Sequence, residues 1–342
     1  MGNVPSKVAN LEVLNNELST VSEIAARDRK RFKKLMDESK RFESLPIRTR
    51  LSDVEVARFA ANRYRFPGVE IKARLFRQYP KGEIASHVVG YIGRINDKDL
   101  EKLEADENLA NYRGSLYMGK IGIEQSYERE LHGITGFEEM ETDAAGRVIR
   151  VISRTPPISG NDLTLSLDIK LQEVAEKAFG DRRVALVAID PTTGDVLAFV
   201  SKPGFDPNLF VDGIDSENWD LLNNSIDRPL NNRALRGLYP PGSTFKPFMA
   251  LAGLELKKRT PQQGISDPGY FSLPGSTHRF RDWKAGGHGY VDLHKSLVVS
   301  CDPYYCGLPN ALGFATILNV PGQSGWGSET GTDIKGEFVG QW

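Results

Sequence analysis

The sequence predicts an α+β protein of two domains, and three observations predict it. Residues 163–255 run strand, helix, antiparallel hairpin and then one apolar helix, an order that builds a mixed layer and not a repeating parallel sheet. A polar stretch with Pro and Gly, residues 155–162, breaks the pattern where a linker belongs. A length of 342 residues suffices for two cores. The domains are therefore expected at 1–155 and 156–342.

Residues 21–43 are rich in Lys, Arg, Glu and Asp, with apolar residues at Ile24, Phe32, Leu35 and Met36, as in an amphipathic surface helix. Ser52 and Glu55 form a capping box that opens a second helix, which Gly68 should end. Residues 69–75 alternate as a half-buried strand does, and 85–92 repeat a strand pattern. Helices are expected at 97–104 and 122–131, and a hairpin at 137–152 turning at Ala145-Gly146. His87 and His132 stand apart from other ligand-type residues and read as structural. In the second domain, 163–167 reads as a strand and 169–179 as a helix. Residues 184–189 and 196–200 read as a hairpin around Asp190-Pro191-Thr192-Thr193-Gly194-Asp195. Residues 245–255 are an apolar helix, with Pro247 tolerable only in its first turn.

Composition excludes several roles. With 44 Lys+Arg against 45 Asp+Glu there is no net field to draw nucleic acid or an anionic membrane. No apolar run is long enough to span a bilayer, and the first residues lack the charged-then-apolar layout of a signal. Two cysteines, Cys301 and Cys306, are too few for a disulfide framework.

The chemistry concentrates in Tyr239-Pro240-Pro241-Gly242-Ser243-Thr244-Phe245-Lys246-Pro247. The breakers Pro240, Pro241 and Gly242 place Ser243 at the start of the apolar helix, where unpaired N–H groups and the macrodipole favour a developing anion. Lys246 follows one turn later on the same face. A serine needs a base to become nucleophilic, and a lysine serves once its proton is lost, so Ser-x-x-Lys supplies both from one turn. The bare spacing is met more often as a capping serine. A second segment, Ser300-Cys301-Asp302, repeats the ambiguity, since Ser-x-Asp is also a common cap.

The flanks decide. Tyr-Pro-Pro-Gly-Ser-Thr-Phe-Lys-Pro closely resembles the active-site segment of penicillin-binding transpeptidases, and Ser300-Cys301-Asp302 resembles their second motif. Arg48-Thr49-Arg50-Leu51, Phe66-Pro67-Gly68-Val69 and Gly122-Ile123-Glu124 resemble the first domain of the class B members that act in cell elongation. The resemblance covers most of residues 20–313. It implies a non-catalytic pedestal or dimerisation-type domain that contacts elongation-machinery membrane proteins. A transpeptidase domain of the serine β-lactamase-like kind, incomplete at its C-terminal end, should follow. It further implies attack of Ser243 on the D-Ala-D-Ala end of a peptidoglycan stem peptide, and capture of β-lactams in the same step. Lys246 would be the base, Ser300 a proton relay and Asp302 an orienting group, with the Ser243 N–H in an oxyanion hole. Members of the family carry an N-terminal anchor in the inner membrane and work on its periplasmic side, so such an anchor is expected before this sequence.

One departure stands out. The family's third motif, Lys-Ser/Thr-Gly, is absent from the sequence, and Glu329-Thr330-Gly331 cannot replace it because a glutamate does not clamp a carboxylate. Residues 331–337 resemble a loop that precedes the true motif. Residues 314–324 match the family poorly, which points to a frameshift, a degraded gene or a truncation.

Asp267, Asp282, His288 and Cys301 offer two hard oxygens, an imidazole and a thiolate within a short stretch, a set zinc accepts. On residue type alone the case is poor: a lone histidine in Gly-Gly-His-Gly, as at His288, is more often a turn residue, and Cys301 fits a small buried apolar position. His278 and His294 are rival ligands. Some relatives in the resembled family hold zinc beside the active site through Asp, Asp, His and Cys in this order, and the resemblance therefore implies a structural zinc here.

Two other functions fit the same residues. One is a binding fragment that docks onto a partner of the elongation machinery while its second domain is catalytically dead. The other, a penicillin sensor or β-lactamase, sits poorly with so long a first domain.

Overall fold

The computed structural model describes residues 2–4, 11–38, 45–73, 75–143, 148–309, 313 and 322–341. Contacts divide the chain into two compact units, Met1–Asn231 and Asn232–Trp342. Every strand pairing among the described residues is antiparallel, as the α+β expectation requires.

The first unit opens with strand β1 (Gly2–Val4) and helices α1 (Leu11–Leu18) and α2 (Ala26–Glu38). The charged run expected as one helix at 21–43 thus begins later, because residues 19–21 form a turn and 22–25 an irregular bend before it. Strands β2 (Leu45–Pro46) and β3 (Glu70–Ile71) flank β1. The strand expected over 69–75 shrinks to β3, since its partner among the described residues, β1, is three residues long and Leu75 is fully exposed. Between them α3 (Asp53–Ala61) starts at the expected capping box, with Ser52 Oγ accepting from Glu55 N–H and Glu55 returning to Ser52 N–H. It ends at Ala61, before Gly68, because residues 63–65 tighten into a 3₁₀ turn. Leu18, Phe32, Leu45, Ile47, Phe59, Phe66 and Val69 bury their side chains together as the core of this region.

Residues 85–92, expected as a strand, begin as helix α4 (Ser86–Val89) and become strand β4 (Tyr91–Arg94). Left-handed Ala85 and positive-φ Gly90 punctuate the change, and burial of Ser86, His87 and Val88 overrides the β-branched preference of the run. Helix α5 (Asp97–Ala105) is as expected, with Asn96 and Asp99 as a second capping box. Strand β5 (Tyr117–Ile121) pairs with β4 and feeds α6 (Gly122–Ser126) and α7 (Glu128–His132). The single helix expected at 122–131 is broken at Tyr127. Gly122 has φ 63°, and a Cβ there would meet the Val88 carbonyl oxygen at 2.4 Å, so this motif glycine is needed for close approach. His87 lies edge-on to Phe205, and His132 stacks on Tyr112 while contacting Ser115 Oγ, both packing roles.

The hairpin of β6 (Phe137–Thr142) and β7 (Val148–Thr155) forms where expected, though its turn at Ala145-Gly146 lies outside the described residues. No strand forms at 163–167: Ser166 Oγ donates to the Val196 carbonyl of β9 (Val196–Lys202), and the next contact, Asp168 N–H to the Leu197 carbonyl, already belongs to the cap of the following helix. Helix α8 (Ile169–Phe179) is capped by Asp168, and the hairpin of β8 (Val184–Ile189) with β9 matches expectation. Fully buried Gln172 locks α8 across β9, donating to the Phe199 carbonyl and accepting from its N–H, both at 2.8 Å. Helix α9 (Ser216–Asn223) precedes the end of this unit.

The second unit holds α10 (Arg233–Arg236) and α11 (Lys246–Glu255), then two two-stranded ribbons. Strand β10 (Ile265–Asp267) pairs with β13 (Gly289–Val291), and β11 (Tyr270–Phe271) with β12 (Phe280–Arg281). Helices α12 (Leu293–Val298) and α13 (Asp302–Cys306) close it. Ala250, Val291, Cys301, Tyr304 and Tyr305 form its buried centre, with α11 packed against both later helices. Most of 314–324 lies outside the described residues. Among the described residues, no helix is long and apolar enough to cross a membrane.

Candidate active site and metal centre

Ser243 sits in a 3₁₀ turn, Gly242–Phe245, that runs directly into α11, and Gly242 at φ 55° makes the sharp entry. The hydroxyl caps neither this turn nor α11. It is exposed, and it accepts a hydrogen bond from Ser300 Oγ at 2.9 Å. Lys246, the first residue of α11, is 8% exposed, and its Nζ donates to Ser300 Oγ (2.9 Å), the Ser300 carbonyl (2.8 Å) and Asp302 Oδ1 (2.6 Å). These three acceptors match the three hydrogens of an ammonium. Ser300 therefore stands between nucleophile and lysine, a relay order that the one-turn spacing of Ser243 and Lys246 does not disclose. Lys246 Nζ also lies 5.8 Å from the centre of the Tyr305 ring.

Ser300 owes this position to the end of α12. Its N–H reaches the Leu297 carbonyl (3.3 Å) and the next N–H, that of Cys301, reaches Ser296 (2.9 Å), the paired bonds of a Schellman ending. The left-handed residue of that ending is usually glycine, yet here it is Ser300 at φ 53°. This backbone turns both the hydroxyl and the carbonyl of one residue toward Lys246. Tyr305 OH, bonded to buried Ser296 Oγ at 2.9 Å, ties α13 back to α12.

The four other candidate residues also converge. One ligand atom from each of Asp267, Asp282, His288 and Cys301 lies within 4.8 Å of every other, a group that includes neither His278 nor His294. Asp267 ends β10, His288 precedes β13, Asp282 follows β12, and Cys301 opens α13. His288 Nδ1 lies 3.1 Å from Asp267 Oδ2 and 3.4 Å from Asp282 Oδ2, and Cys301 Sγ lies 3.5 Å from Asp267 Oδ2. Ligand-to-ligand edges around a tetrahedral zinc with bonds of ~2.0–2.3 Å are about 3.3–3.8 Å, so the donor set fits the ion in type and spacing. Two carboxylates facing one imidazole also leave an anionic excess that a cation would balance. Nε2 of the same ring is buried without a hydrogen-bond partner.

The backbone prepares this cluster. Burial works to raise the Asp267 pKa, but N–H donors from Gly269 and His288, with the imidazole, hold its carboxyl below the ordinary range. Burial pushes the Cys301 thiol up to about 12, and the Asp267 charge adds to it. A Cβ at Gly287, φ 73°, would meet the Asp267 carbonyl oxygen at 2.2 Å, so the Gly-Gly-His-Gly turn is what lets His288 come so close. Lys295 Nζ donates to the His288 and Tyr290 carbonyls and braces the same turn. Sequence reading missed Lys295, Tyr305 and Trp283, whose indole N–H donates to the Val299 carbonyl at 3.0 Å. The only signal for them is their place beside the motif residues.

An exposed serine hydrogen-bonded through a second serine to a buried lysine is an arrangement that can serve nucleophilic acyl chemistry. Residues 1–165 match the penicillin-binding protein dimerisation domain and residues 184–342 the penicillin-binding protein transpeptidase domain, and the chain belongs to the penicillin-binding proteins. It is 45% identical over 337 residues to peptidoglycan D,D-transpeptidase MrdA of Escherichia coli, covering 98% of this chain and 53% of that protein. To MrdA of Acinetobacter baumannii it is 44% identical over 333 residues, covering 97% and 49%. The chain thus spans about half the length of the curated relatives it matches. Among solved structures it is similar to Pseudomonas aeruginosa PBP2 in complex with WCK 5153, with TM-score 0.70 and 44% identity over 79% of this chain and 55% of that one. It is also similar to PBP2 of Helicobacter pylori in complex with MreC, with TM-score 0.81 and 28% identity over 99% and 62%.

Proposed function

We propose that the chain acts as a peptidoglycan D,D-transpeptidase that cross-links stem peptides through an acyl-enzyme on Ser243 and is acylated by penicillins at the same atom. The observation that carries this reading is the hydrogen-bonded series Ser243 Oγ, Ser300 Oγ, Lys246 Nζ, Asp302 Oδ1, with links of 2.9, 2.9 and 2.6 Å. In the reactive state Lys246 has given up one proton and holds a lone pair. Ser243 Oγ attacks the carbonyl carbon of the penultimate D-Ala and passes its proton to Ser300 Oγ, which hands its own to Lys246. The Ser243 N–H faces the oxyanion. Collapse breaks the peptide bond and the departing D-Ala amine takes the proton back along the relay; the amine of a second stem then attacks the ester carbonyl and gives a proton to the relay, the bond to Ser243 Oγ breaks, and Oγ takes that proton to become a hydroxyl again. Asp302 holds the lysine in line, and its charge stabilises the ammonium formed.

The four-residue cluster would hold a zinc ion through Asp267, Asp282, His288 and Cys301. With all four positions taken by protein the ion supplies no chemistry to the substrate and acts as a cross-link. The first domain would dock onto a membrane protein of the elongation machinery, with the chain working on the periplasmic side of the inner membrane; that the similar PBP2 of Helicobacter pylori forms a complex with MreC supports a protein partner.

Incubation with a fluorescent penicillin tests the enzyme reading. A covalent label on the parent that disappears in Ser243→Ala is expected. A folded parent that takes no label would overturn the reading for this chain and leave a non-catalytic binding module.

A further inference from the structure

We propose that Trp283 is a positioning residue for Ser300, acting through the peptide that precedes it. The inference rests on the acyltransferase reading for its consequence but not for its structural basis. The angle φ of Ser300 is measured from the plane of the Val299–Ser300 peptide, so for a given φ and side-chain rotamer the orientation of that plane sets where Oγ points. Both ends of the peptide are held: its N–H by the Leu297 carbonyl at 3.3 Å, and its carbonyl by the Trp283 indole N–H at 3.0 Å. The Val299 carbonyl is one of the last four of α12, which the helix itself cannot pair. Its donor comes from a separate loop, between β12 and β13.

The neighbouring residue of that loop grips the other side. Asp282 Oδ2 accepts from Asp302 N–H at 3.2 Å, so residues 282 and 283 bracket Ser300-Cys301-Asp302 from 299 to 302. Within the bracket, Ser300 keeps φ 53°, a conformation that side chains other than glycine rarely hold without outside contacts. Freed from the indole bond, the peptide plane can rotate and carry Ser300 toward ordinary right-handed angles. Its Oγ would then leave the line between Ser243 and Lys246. Trp283 is 67% exposed, too open for its conformation to be explained by burial alone, and it lies tilted on the His288 ring at 5.3 Å.

Two variants separate the N–H from the ring. Trp283→Phe retains an aromatic against His288, and incorporation of benzothienylalanine at 283 replaces the N–H by sulfur with the shape unchanged. Each is made in the parent and in Ser300→Gly, since glycine needs no help to hold a positive φ. Hydrogen exchange is read on the peptide spanning 296–302, and penicillin acylation is resolved into its binding and bond-forming constants. Loss of protection in the parent but not in Ser300→Gly is expected. Together with it, the bond-forming constant should fall about tenfold while binding is unchanged. Equal losses in both backgrounds, or no change with benzothienylalanine, would overturn the proposal and leave Trp283 as a packing residue. If the parent does not acylate, the exchange cycle still decides the role of Trp283, while the enzyme reading fails by itself.

Discussion

Lys246 shows how one residue is set for two states. As an ammonium it satisfies three acceptors within 2.6–2.9 Å, and in the proposed reaction the amine would face Ser300 Oγ, the hydroxyl that would return a proton to it. Arginine would keep the charge and the pairing with Asp302, but a guanidinium does not surrender its proton near neutral pH. Lys246→Arg should therefore leave a folded protein whose acylation by penicillin is slowed by about a hundredfold or more, read as the rate of covalent labelling. Labelling at a near-parental rate would remove Lys246 from the role of base. Local spacing and flanks singled out Ser243, Lys246, Ser300 and Asp302, and the structure brings these four into one hydrogen-bonded series. The resemblance also implied Ser300 as the relay, but the left-handed backbone that aims it, worth about 1–2 kcal/mol of strain, was not legible, because no pattern of residue types encodes it. Trp283 was illegible for a related reason: its partner is a backbone carbonyl, which carries no sequence signature.

At the scale of elements, what the sequence disclosed was whatever is decided within one turn or one pair of strands. The capping box at Ser52, helices α5 and α8 and the hairpins β6–β7 and β8–β9 formed as expected. The strands expected at 69–75, 85–92 and 163–167 failed or shortened, since alternation makes a strand only where a partner lies alongside. The box at α3 also does more than its local pattern predicts. One Glu55 oxygen closes the box on Ser52, while the other accepts from Glu23 N–H at 2.9 Å and pairs with Arg48 at 2.7 Å. Burial works to raise the Glu55 pKa, but the N–H donors of Ser52 and Glu23 and the guanidinium prevail, bringing it down from 4.5 to about 2. A depressed carboxylate pKa adds stability that is complete above the unfolded value and is lost as pH falls through the folded one. The first unit should thus lose on the order of 2 kcal/mol between about pH 4.5 and 2 through this group. In Glu55→Gln that acid-dependent part should vanish and stability at pH 7 should fall, which denaturant titrations across the range would measure. An unchanged acid slope in the variant would remove Glu55 from this role.

In the molecule as a whole, the two units are built with unequal means. The first has a run of buried Leu, Ile, Val and Phe around α1 to α3 and a glutamine-locked helix on β9. The second has two ribbons of two strands each, an architecture that holds poorly without packing from other layers. Its buried centre includes Cys301 at 0% exposure, directly beside Val291 and Tyr304, so the proposed zinc ligand is also a core residue. The ligands come from the end of β10, the residue after β12, the residue before β13 and the start of α13, so one ion would tie both ribbons to the turn that carries Ser300. Because a metal that binds only the folded form stabilises it by mass action, zinc at a hundredfold its dissociation constant would add about 2.7 kcal/mol. Chelation, and equally Cys301→Ser, should therefore loosen the second unit and slow acylation together, while hydrogen exchange in the core of the first unit stays as it was. Elemental analysis of protein purified without an affinity tag should find one zinc per chain, and His288→Ala should lose it. Finding no stoichiometric zinc in well-folded parent, or the same zinc content in His288→Ala, would return His288 to a turn and Cys301 to the core.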